Sequence, residues 1–295
     1  MKIAITGANG HLGRRLIRQL AATAEVIAIV RSERARKTLT DEFGSGLAVS
    51  VIDYADSAAL GNALIGVDYC VHLVGIIKES KANPFADAHE APAAALATAA
   101  RQQKLKGILY LSIVGSAAMA ANACLASRGR AEDILMQSGV PTRIIRVPMV
   151  LGERDYASFA LLKQARRRIA VTFRADSLEQ PIYAGDVIKA LEASLKNGFT
   201  TDVLELAGPE SLSRRALIQR AAHLLGAGPV SVVSLPLAVG MLLARLLEML
   251  ANPPVTGAML GVLDHDDQVD TAAACNTLGL DLTPLDTTIR YIAGD

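Results

Sequence analysis

The residues with the clearest chemistry are three glycines. Gly7, Gly10 and Gly13 stand in the spacing Gly-x-x-Gly-x-x-Gly within Thr6-Gly7-Ala8-Asn9-Gly10-His11-Leu12-Gly13. An apolar, β-branched run from Lys2 to Thr6 precedes them, and a stretch of helical spacing from Leu12 to Ala22 follows. Glycines between a strand and a helix permit a turn with positive φ and a close backbone approach to a pyrophosphate, whose charge a helix N-terminus favours. The expected ligand is a dinucleotide, with Gly7, Asn9, Gly10, His11, Leu12 and Gly13 around its phosphates.

A second group sits where later strands should end. At the end of the second strand an Asp or Glu would accept from a ribose 2′-hydroxyl, but the sequence has Arg31-Ser32. An arginine there meets a 2′-phosphate, so NADP(H) is the preferred cofactor and NAD(H) stays open. Arg34, Arg36 and Lys37 either add to that charge or form a solvated helix face. Asp53 and Tyr54 follow the third strand and Val74-Gly75-Ile76 the fourth, at the carboxyl ends where ligands of open α/β sheets bind. They are expected to face the adenine and its ribose; Asp53 can equally cap the next helix. The histidines His11, His72, His89, His223 and His265 show no metal-ligand spacing, and His265-Asp266-Asp267 reads as a solvated turn. Ile113-Val114-Gly115-Ser116 lacks the Gly-x-Ser-x-Gly frame of a hydrolase nucleophile.

The elements that must position these groups alternate in type. Candidate strands are Lys2 to Thr6, Glu25 to Val30, Leu47 to Ile52, Tyr69 to Val74, Gly107 to Ser112 and Thr142 to Val147, with helical stretches such as Ala91 to Gln103 between them. That order predicts an α/β fold, a doubly wound parallel sheet of Rossmann type with right-handed crossovers. After Pro148 the regularity falls away through the basic run Arg166-Arg167-Arg168. Asp186 is placed to cap a helix over Val187 to Lys196, Val203 to Leu206 can return a strand to the sheet, and Ser213 can cap a helix reaching Leu225. The expected division is residues 1–150 with 181–207 as the dinucleotide domain, and 151–180 with 208–295 as a smaller, mainly α subdomain.

Composition narrows the function classes. Of 295 residues 51% are hydrophobic and 20% charged, which excludes a disordered chain. A net charge of +1 argues against nucleic acid as a partner, so any basic site must be local. Cys70, Cys124 and Cys275 are odd in number and form no Cys-x-x-Cys pair, and Ile3-Ala4-Ile5 leaves no room for a leader, so a reduced, cytoplasmic protein is expected. Leu235 to Leu250 is interrupted by Arg245 and Glu248 and falls short of the roughly 20 apolar residues of a membrane span. It reads as an amphipathic helix, for core or dimer packing or for peripheral docking on a membrane or protein partner.

With these pieces in place, the chain resembles the atypical and extended short-chain dehydrogenase/reductases, through the glycine loop, Asp53-Tyr54-Ala55-Asp56 and His72-Leu73-Val74-Gly75. Within that superfamily it is similar to the branch holding the NAD(P)-binding accessory subunit of respiratory complex I and its bacterial stand-alone relatives. Four later segments carry this likeness: Arg146-Val147-Pro148-Met149-Val150-Leu151-Gly152, Gln180-Pro181-Ile182-Tyr183-Ala184-Gly185-Asp186-Val187, Leu204-Glu205-Leu206-Ala207-Gly208-Pro209-Glu210 and Asn252-Pro253-Pro254-Val255-Thr256. The resemblance adds Pro148 to the residues expected at the cofactor.

It also bears on catalysis. In the catalytic members a tyrosine and a lysine four residues later share proton transfer, and a serine at the end of the fifth strand polarises the same substrate oxygen. Ser112 matches the serine, while Cys124 and Arg128 stand where the tyrosine and lysine belong. Arg128 keeps the charge that can hold a ribose but cannot give up its proton, and Cys124 reads as packing. The resemblance therefore implies a dinucleotide-binding protein with little conventional dehydrogenase activity. The alternatives are an NADPH-dependent reductase or isomerase of a small apolar carbonyl or quinone-type substrate, and a membrane-peripheral assembly or interaction protein.

Overall fold

The structure, a computed structural model, describes residues 1–247, 256–261 and 265–294. Two compact units emerge: Met1–Arg146 with Ile188–Leu204, and Val147–Val187 with Glu205–Asp295.

In chain order the first stretch comprises β1 (Lys2–Thr6), α1 (His11–Leu20), β2 (Glu25–Val30), α2 (Glu33–Phe43), β3 (Ala48–Val51), α3 (Ser57–Ala63), β4 (Tyr69–His72), a π turn (Ala86–Glu90), α4 (Ala91–Gln102), β5 (Gly107–Ile113), α5 (Ala123–Met136) and β6 (Thr142–Val147). There follow β7 (Val150–Leu151), α6 (Tyr156–Ala165), β8 (Ile169–Phe173), β9 (Leu178–Glu179), β10 (Ile182–Tyr183), α7 (Ala184–Asn197), β11 (Asp202–Glu205), β12 (Leu212–Ser213), α8 (Arg214–Leu224), β13 (Ser231–Leu235), α9 (Leu237–Leu247), α10 (Gly257–Gly261), α11 (Ala272–Leu278) and α12 (Leu285–Ala293).

The expected α/β architecture is present as a seven-stranded parallel sheet in the order β11-β6-β5-β4-β1-β2-β3, with flanking helices. Ile3, Ala4 and Ile5 of β1 are wholly buried, as strands covered on both faces require. The chain winds outward through β2 and β3, then crosses to β4 on the other side of β1. In register, Thr6 ends beside Ile29 on one side and His72 on the other. The crevice beyond β1 and β4 is thus the topological switch point, where this class of sheet binds ligands. Alanines Ala93, Ala97 and Ala100 give α4 a thin face that packs into the core with Leu96.

The second unit has its own core, in which Leu161, Ala170, Leu217, Ala221, Val232 and Ile289 meet. Its C-terminal region is helical, and its described residues form the strand pairs β7 with β10, β9 with β12 and β8 with β13, the last of which has no strong sequence signal. Ser213 caps α8 as expected, accepting from the Ala216 N–H at 3.1 Å. Asp186 is not a cap: α7 begins two residues earlier, and the buried Asp186 carboxylate accepts from the Thr283 N–H at 2.6 Å and its hydroxyl at 2.9 Å. A tertiary tie therefore accounts for that aspartate. The expected helix over 235–250 begins at Leu237, after Pro236, with Val239 and Leu242 exposed. Its last three residues, and Asn252 to Val255, lie outside the described residues.

Two of the similar segments hold each other. The Gln180 amide donates to the Gly208 carbonyl at 2.9 Å and accepts from the Val269 N–H at 2.7 Å, and a Cβ on Gly208 would sit 1.9 Å from the Pro181 carbonyl oxygen. Their residues are explained by close backbone packing.

Candidate functional site

At the switch point lies a groove of about 300 Å³, lined by Gly7, Asn9, Gly10, Arg31, Ser32, Asp53, Tyr54, Val74, Gly75 and Ile76. Asn83, Asp87, Ala88 and Pro92 complete it from the segment after β4, which sequence reasoning did not mark. The lining does not include His11, Leu12, Gly13, Ser112, Cys124, Arg128 or Pro148, and Pro148 belongs to the second unit.

The three glycines do different work. Only Gly7 has positive φ, +72°, and a Cβ there would come within 3.0 Å of the Leu73 carbonyl. Gly10 has φ −69°, and its N–H closes the turn on the Gly7 carbonyl at 3.0 Å. Gly13 is demanded by packing, since a Cβ would lie 2.6 Å from the Ala8 carbonyl oxygen. No side chain caps α1, so its first-turn N–H groups, at His11 to Gly13, remain open to an anion. A cradle that side chains would fill, facing an uncapped helix, fits a dinucleotide's pyrophosphate.

The rim shows how the neighbouring strands contribute. The Tyr54 hydroxyl accepts from the Gly7 N–H at 3.1 Å and donates to the Ile29 carbonyl at 3.2 Å, pinning the glycine turn to β2. Burial raises its phenol pKa, so Tyr54 is a neutral clamp. Arg31 is exposed and donates to the Asn83 amide oxygen at 3.4 Å across the groove. Ser32 caps α2 through the Ala35 N–H at 3.2 Å. Asp53 folds onto the Ala55 N–H at 3.1 Å, and Asp56 caps α3, which leaves Asp53 on the groove wall. Arg36 and Lys37 pair with Glu33 and Asp41 along the outer face of α2.

Under the β4 side is a buried polar cluster that the sequence revealed only in part. Arg128, 8% exposed, donates from Nη1 to the Tyr110 hydroxyl at 3.3 Å and the Leu111 carbonyl at 3.1 Å. Its Nε is buried without a partner, and among the described residues no carboxylate pairs with it. A Cβ on Gly75 would lie 2.1 Å from its Nη2, so the cation lies directly against the backbone of the groove wall. His72 meets the Thr6 hydroxyl at 2.7 Å and His89 meets the Ile76 backbone at 3.1 Å. Burial first, then the Arg128 charge, pushes both imidazoles down to about 3, so both are neutral.

The remaining expected groups are less available. Cys124 is wholly buried, its thiol 3.5 Å from the Ile76 carbonyl, and burial raises its pKa despite nearby Arg128. Ser112 is buried, and its hydroxyl donates to Ser116 at 3.3 Å. Among the described residues no cluster of His, Cys, Asp or Glu could hold a metal ion. None of their helices is long and apolar enough to cross a membrane.

A parallel sheet with an uncapped glycine turn at its switch point defines a dinucleotide-binding protein of Rossmann type. The chain belongs to the NAD(P)H-binding family, whose model matches residues 7–172. This agrees with the atypical short-chain dehydrogenase/reductase superfamily. A ceramide reductase from Caulobacter vibrioides is 27% identical over 267 residues, covering 86% of this chain and 81% of that protein. Quinone oxidoreductase 2 from Escherichia coli is 34% identical over 115 residues, covering 38% of this chain and 36% of that protein. Among solved structures, a UDP-N-acetylglucosamine 4-epimerase from Bacillus cereus shares the fold with a TM-score of 0.74 at 17% identity, over 99% of this chain and 98% of that one.

Proposed function

We propose that this protein binds NADPH in the groove and reduces an apolar carbonyl or quinone-type compound, with Arg128, at the position the resemblance gives to the lysine, taking over the tyrosine's task of stabilising the substrate oxygen. The observation that carries this reading is the buried Arg128 cation, which among the described residues has no carboxylate partner and an unfilled Nε donor. Burying an unpaired charge is costly, and a site that does so gains when negative charge develops beside it. The names of the relatives, a ceramide reductase and a quinone oxidoreductase, support an apolar substrate.

When bound, the nicotinamide supplies a hydride to an electrophilic carbon. The chain's own residues then have separable tasks. Gly7, Gly10 and the first turn of α1 hold the pyrophosphate; Arg31 takes the 2′-phosphate, which favours NADP(H) over NAD(H). Tyr110 and the Leu111 carbonyl orient the Arg128 guanidinium, whose free donors stabilise the oxyanion. Arginine stays protonated, so the proton that completes the alcohol comes from water.

A second reading is favoured by Cys124, a buried thiol where the resemblance places the tyrosine. In it NADPH is retained without turnover, stabilising the fold or reporting redox state to a partner. The discriminating experiment follows NADPH oxidation with a long-chain ketone and with a soluble quinone. The reductase reading expects turnover that Arg128→Met lowers roughly a hundredfold to a thousandfold while NADPH still binds. NADPH binding with no turnover on either substrate overturns it and leaves the second reading.

A further inference from the structure

The basic run after α6 plays no part in the groove. Lys163, Arg166, Arg167 and Arg168 are all exposed, and among the described residues none has an ion-pair or hydrogen-bonding side-chain partner. In the same unit Arg174 pairs with Asp266, Arg214 with Glu179, Arg215 with Asp176, and Arg220 with Glu210 and Asp286. The exposed Arg154 and Arg290 are also unpaired among the described residues but stand singly in the sequence; only residues 163–168 gather four such cations. Such a cluster in a chain of net charge +1 is a local field, with no global excess behind it.

The run leads directly into an apolar face. β8 and β13 pair in parallel with Val171 beside Val233, and alternation sends Ala170 and Val232 into the core. The opposite face is left open, with Ile169 59%, Val171 43% and Val233 44% exposed. At the far end of β8 the Phe173 ring packs on Gly240 of α9, a helix whose Val239 and Leu242 are themselves exposed. Along α6, Tyr156, Phe159 and Lys163 fall at helical spacing on one outward stripe that ends at the arginines. Unpaired cations thus border exposed aliphatic and aromatic side chains on the same unit.

We propose that this face of the second unit docks on an anionic phospholipid bilayer, the arginines meeting headgroup phosphates and the β8–β13 ribbon entering the interface. The charge complements a phosphate surface, Ile169, Val171 and Val233 suit acyl chains, and the exposed rings of Tyr156 and Phe159 suit the headgroup boundary; a single-stranded nucleic acid, which those two rings can also stack on, is the competing outcome of the test. The surface lies mainly outside the 235–250 stretch, which contributes its α9 edge. The inference invokes no groove residue and stands apart from the reductase reading.

The test is co-sedimentation of the full-length protein with vesicles of phosphatidylcholine mixed with phosphatidylglycerol, against phosphatidylcholine alone. Binding is expected only to the anionic vesicles, weakening with salt, and falling about a hundredfold when Arg166→Ala, Arg167→Ala and Arg168→Ala are combined. Val171→Ser with Val233→Ser should weaken binding while leaving its salt dependence unchanged. NADPH-induced thermal stabilisation of each variant controls for folding. Absence of binding to anionic vesicles, binding indifferent to the arginines, or preferential capture of a single-stranded RNA oligonucleotide by the same arginines would each overturn the proposal.

Discussion

Tyr54 illustrates how a residue can line a ligand groove and yet work for the scaffold. Its hydroxyl bridges Gly7 and Ile29, so Tyr54→Phe leaves the part-buried Gly7 N–H without its partner and the buried Ile29 carbonyl with only the longer bond from the Ala8 N–H at 3.5 Å. The expected cost is about 1–3 kcal/mol of stability, read by urea denaturation, with weaker dinucleotide binding because the turn is no longer pinned. At this scale the sequence was most legible where geometry leaves little choice, as at Gly7 and Gly13. Roles set by partners distant in sequence were opaque. Nothing near Asp186 announces Thr283, and nothing near Gly75 announces Arg128. The alignment of Arg128 with a catalytic lysine identified a cation; only packing shows that it is buried with no carboxylate against it among the described residues.

Elements were legible in proportion to their periodicity. β1 and β2 fall where the apolar runs predict, because strands buried on both faces leave a nearly continuous apolar signature, while β6 keeps only Ile144-Ile145 and Val147 around Arg143 and Arg146 and is still found at its expected bounds. β8 and β13 did not stand out, since each presents one face to solvent and their pairing spans distant segments. The π turn before α4 places His89 under Ile76, and with His72 on β4 it gives the first unit two buried neutral imidazoles. Their folded pKa, about 3, lies below the ordinary 6.5, so the unfolded chain binds more protons in the window between. The stability they contribute is complete above pH 6.5 and is lost as pH falls through that window, by up to about 3 kcal/mol per pH unit for the two together. Urea midpoints measured from neutral to mildly acidic pH should fall steeply below 6.5. A flat profile would show that the imidazoles are already charged or solvated.

For the whole molecule, order of elements specified the doubly wound sheet, and the sheet's topology placed Gly7, Arg31, Asp53 and Gly75 around one crevice. What the fold does not determine is the reaction, because neighbours sharing it include an epimerase and relatives in sequence include reductases. Dinucleotide recognition comes before either chemistry. It is tested most directly by calorimetric titration of the protein, and of Arg31→Ala, with NADPH and with NADH. The wild type should bind NADPH more tightly, and Arg31→Ala should weaken NADPH by roughly tenfold to a hundredfold with little change for NADH, as loss of a charge-assisted contact to a 2′-phosphate requires. Failure to bind either dinucleotide, or tighter binding of NADH by the wild type, would contradict it.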